Sequence, residues 1–301
     1  MESARNMRVR RHRRNSNGRA WLLMTILVLG FVIAFASIAA YDENLQPLAS
    51  EVQLLNNLSA ITLTPMNLSS INDTGYLALI NRNHAISTEP SSGSLVSAWP
   101  TVPVNFIEGM YLHPTALQAV ADMISTARNA DVGSFFVSSG FRGQQLQAEL
   151  YNNGANGAFA LPPGHSEHHT GLAIDILAIG ISQAQMGNSI EGRWLADNSY
   201  HYGLILRYPQ GATSITGIEF EPWHFRYVGR PHAYYMMRNN LVLEEYIELI
   251  QGTGGISFDK NGRTHHVLHQ IPNDGMIKVP TELSFNISRD NTGGFIITAW
   301  E

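Results

Sequence analysis

Two short stretches of this sequence hold side chains that could share a metal ion. In the first, His168 and His169 precede Gly171, and Asp175 follows on an apolar run, LAIDIL. In the second, Glu221-Pro222-Trp223-His224 brings a carboxylate and an imidazole close together in the chain. Pro222 disfavours helical geometry at Glu221, so this pair comes from an extended or turned segment rather than one helix face. A turn at Gly171 followed by an extended run can aim His168 and Asp175 at one point. Two imidazoles and one carboxylate, those of His168, Asp175 and His224, make the three-donor set typical of a catalytic zinc, with the fourth position left to water. A further carboxylate that does not bind the metal must then take the proton. Zinc lowers the pKa of its water towards about 7, within reach of such a base. Neither a G-x-S-x-G elbow nor a phosphate-cradling glycine motif is present, and with no cysteine there is no thiol nucleophile.

The chain has twelve histidines, and most have a plainer reading. His169 is expected to pack in its loop, because His168 already has the ligand spacing. His165 is read as structural at the pocket rim and His201 as packed among Tyr200 and Tyr202. His265, His266 and His269 lie far along the chain with no carboxylate at ligand spacing, so they are not read as a second metal cluster. Trp223 is read as a packing residue.

The ordered motifs resemble a known family. SEHHTGLAID matches S-x-H-x-x-G-x-A-x-D, and EPWH matches E-x-W-H, of the VanY-type zinc D-Ala-D-Ala carboxypeptidases. That family shares its fold with the VanX dipeptidases and the L,D-carboxypeptidases. The resemblance runs over residues 75–250 through LINRNH, SSGFR with Gln147, PPGHSEHHTGLAID, YGLILRYP and TGIEFEPWHFRYVG. It implies that His168, Asp175 and His224 hold a single zinc ion and that Glu221 is the general base. It implies that Arg142 stabilises the oxyanion or the substrate carboxylate, and that Ser166 and Gln147 contact substrate. The chain has SGFRG where relatives commonly have SGYRS, so contacts made there by a tyrosine hydroxyl and a serine are lost at Phe141 and Gly143. The implied activity is removal of the terminal D-Ala from peptidoglycan stem pentapeptides or their lipid-linked precursors, which in some bacteria serves vancomycin resistance. The alternative is an L,D-carboxypeptidase acting on tetrapeptides. A wall-binding module without catalysis is disfavoured, because all three ligands and the base are present.

These side chains need a scaffold. FFVSS at 135–139 reads as a buried strand, Gly140 to Gly143 as a turn, Gln144 to Asn152 as a helix and LAIDIL at 172–177 as a strand. Pro114 opens a helix in which Leu117, Val120, Ala121 and Ile124 share one face. Trp194 to Tyr202 reads as a short helix, LILRYP as a strand, Ile218 to Val228 as extended and Leu241 to Ile250 as a closing helix. Short strands broken by helices predict an α+β fold with a small, mostly antiparallel sheet flanked by helices. The resemblance makes this the hedgehog/D-Ala-D-Ala peptidase-like fold. Beyond Gly252, short alternating segments with turns at Asn273-Asp274-Gly275 and at 290–294 predict a small β-rich C-terminal extension.

The first forty residues carry a different message. Seven of the 19 basic residues precede Trp21, and 21–40, WLLMTILVLGFVIAFASIAA, has no charge. As a helix it would span about 30 Å, one hydrocarbon core. The arginine-rich flank predicts a signal anchor with a cytoplasmic N-terminus and the bulk outside the cell membrane, and the small residues 37–40 would also suit cleavage and release. The expected order is a basic segment 1–20, anchor 21–40, stalk 41–74, zinc peptidase domain 75–251 and extension 252–301. The net charge of −5 and the single basic run at the membrane face point away from nucleic acid. With no cysteine, an exported domain depends on its apolar core and on any bound metal.

Overall fold

The computed structural model describes residues 61–98, 105–106, 109–153 and 160–301. The basic segment, the expected anchor and residues 41–60 lie outside them. Among the described residues no helix is long and apolar enough to cross a membrane.

In chain order the first strands are β1 (Thr64–Asn67), β2 (Val96–Ser97), β3 (Asn105–Phe106) and β4 (Tyr111–Leu112). Helix α1 (Pro114–Asn129) starts where the sequence places it. Pro114 needs no N–H in the first turn, and His113 Nδ1 accepts from the Thr115 amide at 3.2 Å. Then follow β5 (Phe135–Ser139), α2 (Gln144–Asn153), β6 (Ala173–Ala178), α3 (Gln183–Met186), α4 (Ile190–Asn198) and β7 (Leu204–Leu206). Next are α5 (Thr213–Thr216), β8 (His224–Tyr227), α6 (Arg230–Asn239) and α7 (Leu243–Thr253). The chain continues through β9 (Gly255–Lys260), β10 (Arg263–Gln270), β11 (Met276–Val279), β12 (Ser284–Arg289) and β13 (Phe295–Trp300).

The central sheet has the order β3-β5-β6-β8-β7, antiparallel except where β3 meets β5. Its two-residue period sorts the side chains. Ile174 and Ile176 of β6 join Phe135, Val137 and Phe225 in one core with Leu117, Val120, Met123 and Ile124 of α1. Each buried side chain of this size contributes about 1.5–3 kcal/mol relative to exposure. Asp175, lying between two core isoleucines, projects from the opposite face.

Two expectations change, and one helix was not foreseen. The stretch expected as stalk is ordered at its end, because β1 pairs antiparallel with β11 and Met66 packs beside Ile277 and Val279. Four residues, TPMN, are too short to show a period in sequence. The extension after Gly252 does form strands, with the sheet order β12-β13-β10-β9. It is not a separate appendage, for Ile256, Phe258, Val267 and Ile296 share a core with Leu77, Ile205, Val228, Met236, Tyr246 and Ile247. Helix α6, RPHAYYMMRN, is not among the predicted elements, since its His, Tyr and Asn are weak helix formers and packing decides its state.

His232 ties these parts together. Its Nδ1 lies 2.7 Å from the Tyr246 hydroxyl and its Nε2 2.9 Å from Thr298 Oγ1, joining α6, α7 and β13. Burial, with a smaller contribution from His265, lowers its pKa from 6.5 to about 3. Between those values the unfolded chain binds a proton that the folded one refuses, so stability falls as the pH drops, by about 1.4 kcal/mol per unit. His232→Gln is therefore expected to flatten the dependence of unfolding free energy on pH between 6 and 4. Denaturant titrations at several pH values check this, and an unchanged slope would contradict it.

Candidate metal centre

The turn that carries His168 is built by its own sequence. Glu167–Thr170 form one 3₁₀ turn, with Ser166 Oγ accepting from the His168 amide at 3.4 Å. Gly171 closes it in the left-handed region at φ +69°, and a Cβ there would come within 2.6 Å of Leu95 Cδ2. Only glycine meets both conditions without strain. The chain then enters β6, where Asp175 stands directly opposite His224 of β8. Before β8, the His224 amide donates to the Glu221 carbonyl at 3.1 Å, so Ile218 to Val228 is a turn leading into a strand rather than one extended run.

The three expected ligands converge. His168 Nε2 lies 3.4 Å from Asp175 Oδ2, and His224 Nδ1 lies 3.1 Å from Asp175 Oδ1. One donor atom from each residue falls within 4.8 Å of the other two, and among the described residues this is the single such group. Bonds of about 2.0–2.1 Å in a tetrahedron put neighbouring donors about 3.3 Å apart, close to the separations from Asp175. His168 Nε2 and Asp175 Oδ1 are buried without a hydrogen-bond partner. His168 Nδ1 lies 2.7 Å from the Gly140 carbonyl, which it meets as an N–H donor, leaving Nε2 as the lone-pair nitrogen. An N,N,O zinc site fits these residues.

The electrostatics agree. Burial, assisted by the Arg142 charge, lowers the His168 pKa to about 4, so this imidazole is neutral at pH 7 as a ligand must be. At His224, burial alone would lower the pKa. The neighbouring carboxylates of Asp175 and Glu167, with the charge of Glu221, instead raise it to about 9. Asp175 is held far below the usual carboxylate range, since the two imidazoles outweigh its burial. The pocket thus favours positive charge among its carboxylates. Burial raises Glu221, with Asp175 adding to it, and Glu221 Oε2 lies 3.5 Å from His224 Nδ1.

Arg142 follows β5 on a braced loop. Its amide donates to the His168 carbonyl at 3.1 Å, and its carbonyl accepts from His169 Nδ1 at 2.6 Å. His169 Nε2 in turn accepts from the Gly164 amide at 2.9 Å. With both nitrogens engaged, His169 fixes two loops and is not a ligand. The half-buried Arg142 feels the charges of Asp175 and Glu221, and its Nε has no hydrogen-bond partner. Gln147 is buried, with Nε2 donating to the Leu161 carbonyl at 2.7 Å and Oε1 unpaired. Ser166 is buried as the cap of the His168 turn.

Of the remaining histidines, His165 Nδ1 meets the Asn81 carbonyl at 2.9 Å, as a structural residue would. His266 pairs with Ser257 and His269 with Asp290. His201 is exposed beside Tyr200, against the expectation of packing in the core. The sequence reading missed the buried Glu167, Arg207 and Arg226, which with the part-buried Glu244 form a charged cluster behind His224, and Tyr208, whose ring lies 4.9 Å from the His224 ring. The available signal was a charged residue inside each of two apolar strand-like runs, LILRYP and HFRYV, since buried arginines need partners.

A family model described as VanY: D-alanyl-D-alanine carboxypeptidase matches residues 109–230. A D-alanyl-D-alanine carboxypeptidase of Enterococcus faecium is 32% identical over 268 residues, covering 86% of this chain and 85% of its own. Among solved structures, the vancomycin resistance D,D-dipeptidase VanXYg, in complex with a D-Ala-D-Ala phosphinate analogue, superposes with a TM-score of 0.67. That match has 26% identity and covers 80% of this chain and 99% of the other. The LdcB LD-carboxypeptidase gives a TM-score of 0.52 at 35% identity, covering 57% of this chain and 86% of the other.

Proposed function

Because this chain belongs to the VanY D-alanyl-D-alanine carboxypeptidase family, we propose that it is a zinc-dependent D,D-carboxypeptidase trimming the terminal D-Ala from peptidoglycan stem pentapeptides. The observation that carries the reading is the convergence of His168, Asp175 and His224 with a fourth group, Glu221, beside but outside the donor set. Those three side chains would hold a zinc ion, and the chemistry it would supply is Lewis-acid polarisation of the scissile carbonyl and acidification of water.

The protein's own groups do the rest. Glu221 takes a proton from the attacking water and returns it to the amine of the departing D-Ala, so one carboxylate serves as base and then as acid. Its raised pKa brings it nearer the operating pH, where such transfers are efficient. Arg142, half-buried but with its Nε buried and unpaired, offers a donor to the developing oxyanion or to the terminal carboxylate. Gln147 Oε1, buried and unpaired, can accept from a peptide N–H. Ser166 holds the His168 turn and lies near enough in sequence to meet the same substrate. The apolar stretch 21–40 and its arginine flank support a single-pass anchor that keeps this chemistry outside the cell membrane, next to newly made wall.

A second reading, an L,D-carboxypeptidase acting on tetrapeptides, is favoured by the similarity to LdcB. Incubation of the zinc-loaded protein with a pentapeptide ending in D-Ala-D-Ala and with the matching tetrapeptide separates the two. We expect free D-Ala and tetrapeptide from the first, and little turnover of the second. Release of D-Ala from the tetrapeptide alone would replace the first reading with the second.

A further inference from the structure

Behind His224 lies a group of charges that the proposed reaction does not use. Glu167, on the 3₁₀ turn, is buried, and so are Arg207 and Arg226. Glu167 Oε1 accepts from Arg207 Nε at 2.8 Å and from an Arg226 terminal nitrogen at 2.9 Å. Arg207 is held on its other side by Glu244 of α7, through contacts of 2.8 and 2.6 Å. Arg226 is further fixed by the Tyr76 and Ala78 carbonyls, each at 3.1 Å. The carboxylate plane of Glu167 is therefore set by two immobile guanidinium groups.

Its second oxygen tells more. Glu167 Oε2 and His224 Nε2 are both buried, neither has a hydrogen-bond partner, and they face one another at 3.5 Å. Buried polar atoms are rarely left unpaired without a reason. A small approach turns this pair into an N–H···O bond, and a metal on the opposite nitrogen, Nδ1, would call for it by fixing the proton on Nε2. Carboxylates placed behind ligating histidines set the tautomer and ring orientation and raise ligand basicity.

We infer that Glu167 is the positioning residue of the metal centre, holding His224 with Nδ1 towards the ion, while Arg207 and Arg226 aim the carboxylate. The inference rests on the zinc reading given above. It also assigns a purpose to two fully buried arginines, which a purely structural site would more cheaply fill with apolar side chains.

The test measures zinc affinity by chelator competition, independently of turnover. Glu167→Gln, checked for native circular dichroism, is expected to bind zinc about 10–100-fold more weakly. Glu244→Gln removes a carboxylate from the same cluster without touching His224 and should leave affinity within about threefold. Unchanged affinity in Glu167→Gln, or an equal loss in Glu244→Gln, would overturn the assignment. Should Glu167→Gln fail to fold, the unmutated zinc protein still decides by nitrogen-edited NMR. A downfield, slowly exchanging His224 Nε2–H is expected, and a rapidly exchanging one overturns the inference. Failure of the unmutated protein to bind zinc would instead strike the metal reading itself.

Discussion

Glu221→Gln is expected to bind zinc like the parent protein while kcat falls by about 10²–10⁴-fold, the span general acid–base catalysis supplies. The carboxylate stands 3.5 Å from His224 Nδ1 and is not one of the three converging donors, so its loss leaves the N,N,O set whole. Glutamine keeps the shape and can still orient water, but it cannot take a proton. Zinc content by elemental analysis and kcat on the pentapeptide, measured on the same preparation, check both halves of the prediction. Activity within a few-fold of the parent would mean that another group moves the proton, and the reaction scheme would have to be abandoned.

The second large effect belongs to His224→Ala, which should lose both metal and turnover. Removing this imidazole deletes the donor 3.1 Å from Asp175 and leaves Asp175, Glu221 and Glu167 facing one another without the group that separates them. Zinc affinity should drop by more than about 100-fold, beyond the effect of changing a residue behind a ligand. A ligand that binds only the folded state raises its melting temperature. Zinc should therefore raise the melting temperature of the parent and leave that of the variant unmoved. A variant that still melts higher with zinc would show that the metal sits elsewhere. The contrast with Glu221→Gln separates binding the ion from using it.

Much of this site can be read in the sequence, because its members are set by local chemistry. Gly171 marks the turn after His168, the alternation Ile174-Asp175-Ile176 shows which face the carboxylate takes, and Pro222 rules out a helix at Glu221. β5, α1 and α2 follow for the same reason, each having a clean period or a clear start. What stayed hidden depends on contacts between distant segments. Glu167 looks like a variable position within its motif, and only the fold brings Arg207 and Arg226 to it. β1 is too short to declare itself and exists because β11 lies beside it. The C-terminal strands were legible one by one, but not their shared core with α6 and α7, since periodicity tells which face is apolar and not what covers it.

The pairing of Asp175 with His224 across neighbouring strands has a consequence for how the site tolerates change in its length. Two of the three ligands are placed by the strand register, so the loops of the long excursion between β6 and β8, on either side of the paired strand β7, do not set their separation. Insertions and deletions there can accumulate so long as the strands still meet. One residue gained or lost within β6 ahead of Asp175 is another matter. It would turn the carboxylate towards the isoleucine core and bring an apolar side chain to the metal, because a one-residue slip exchanges the two faces. The tolerance of this enzyme to indels is thus expected to be uneven, wide in the connecting loops and close to nil along a strand of six residues.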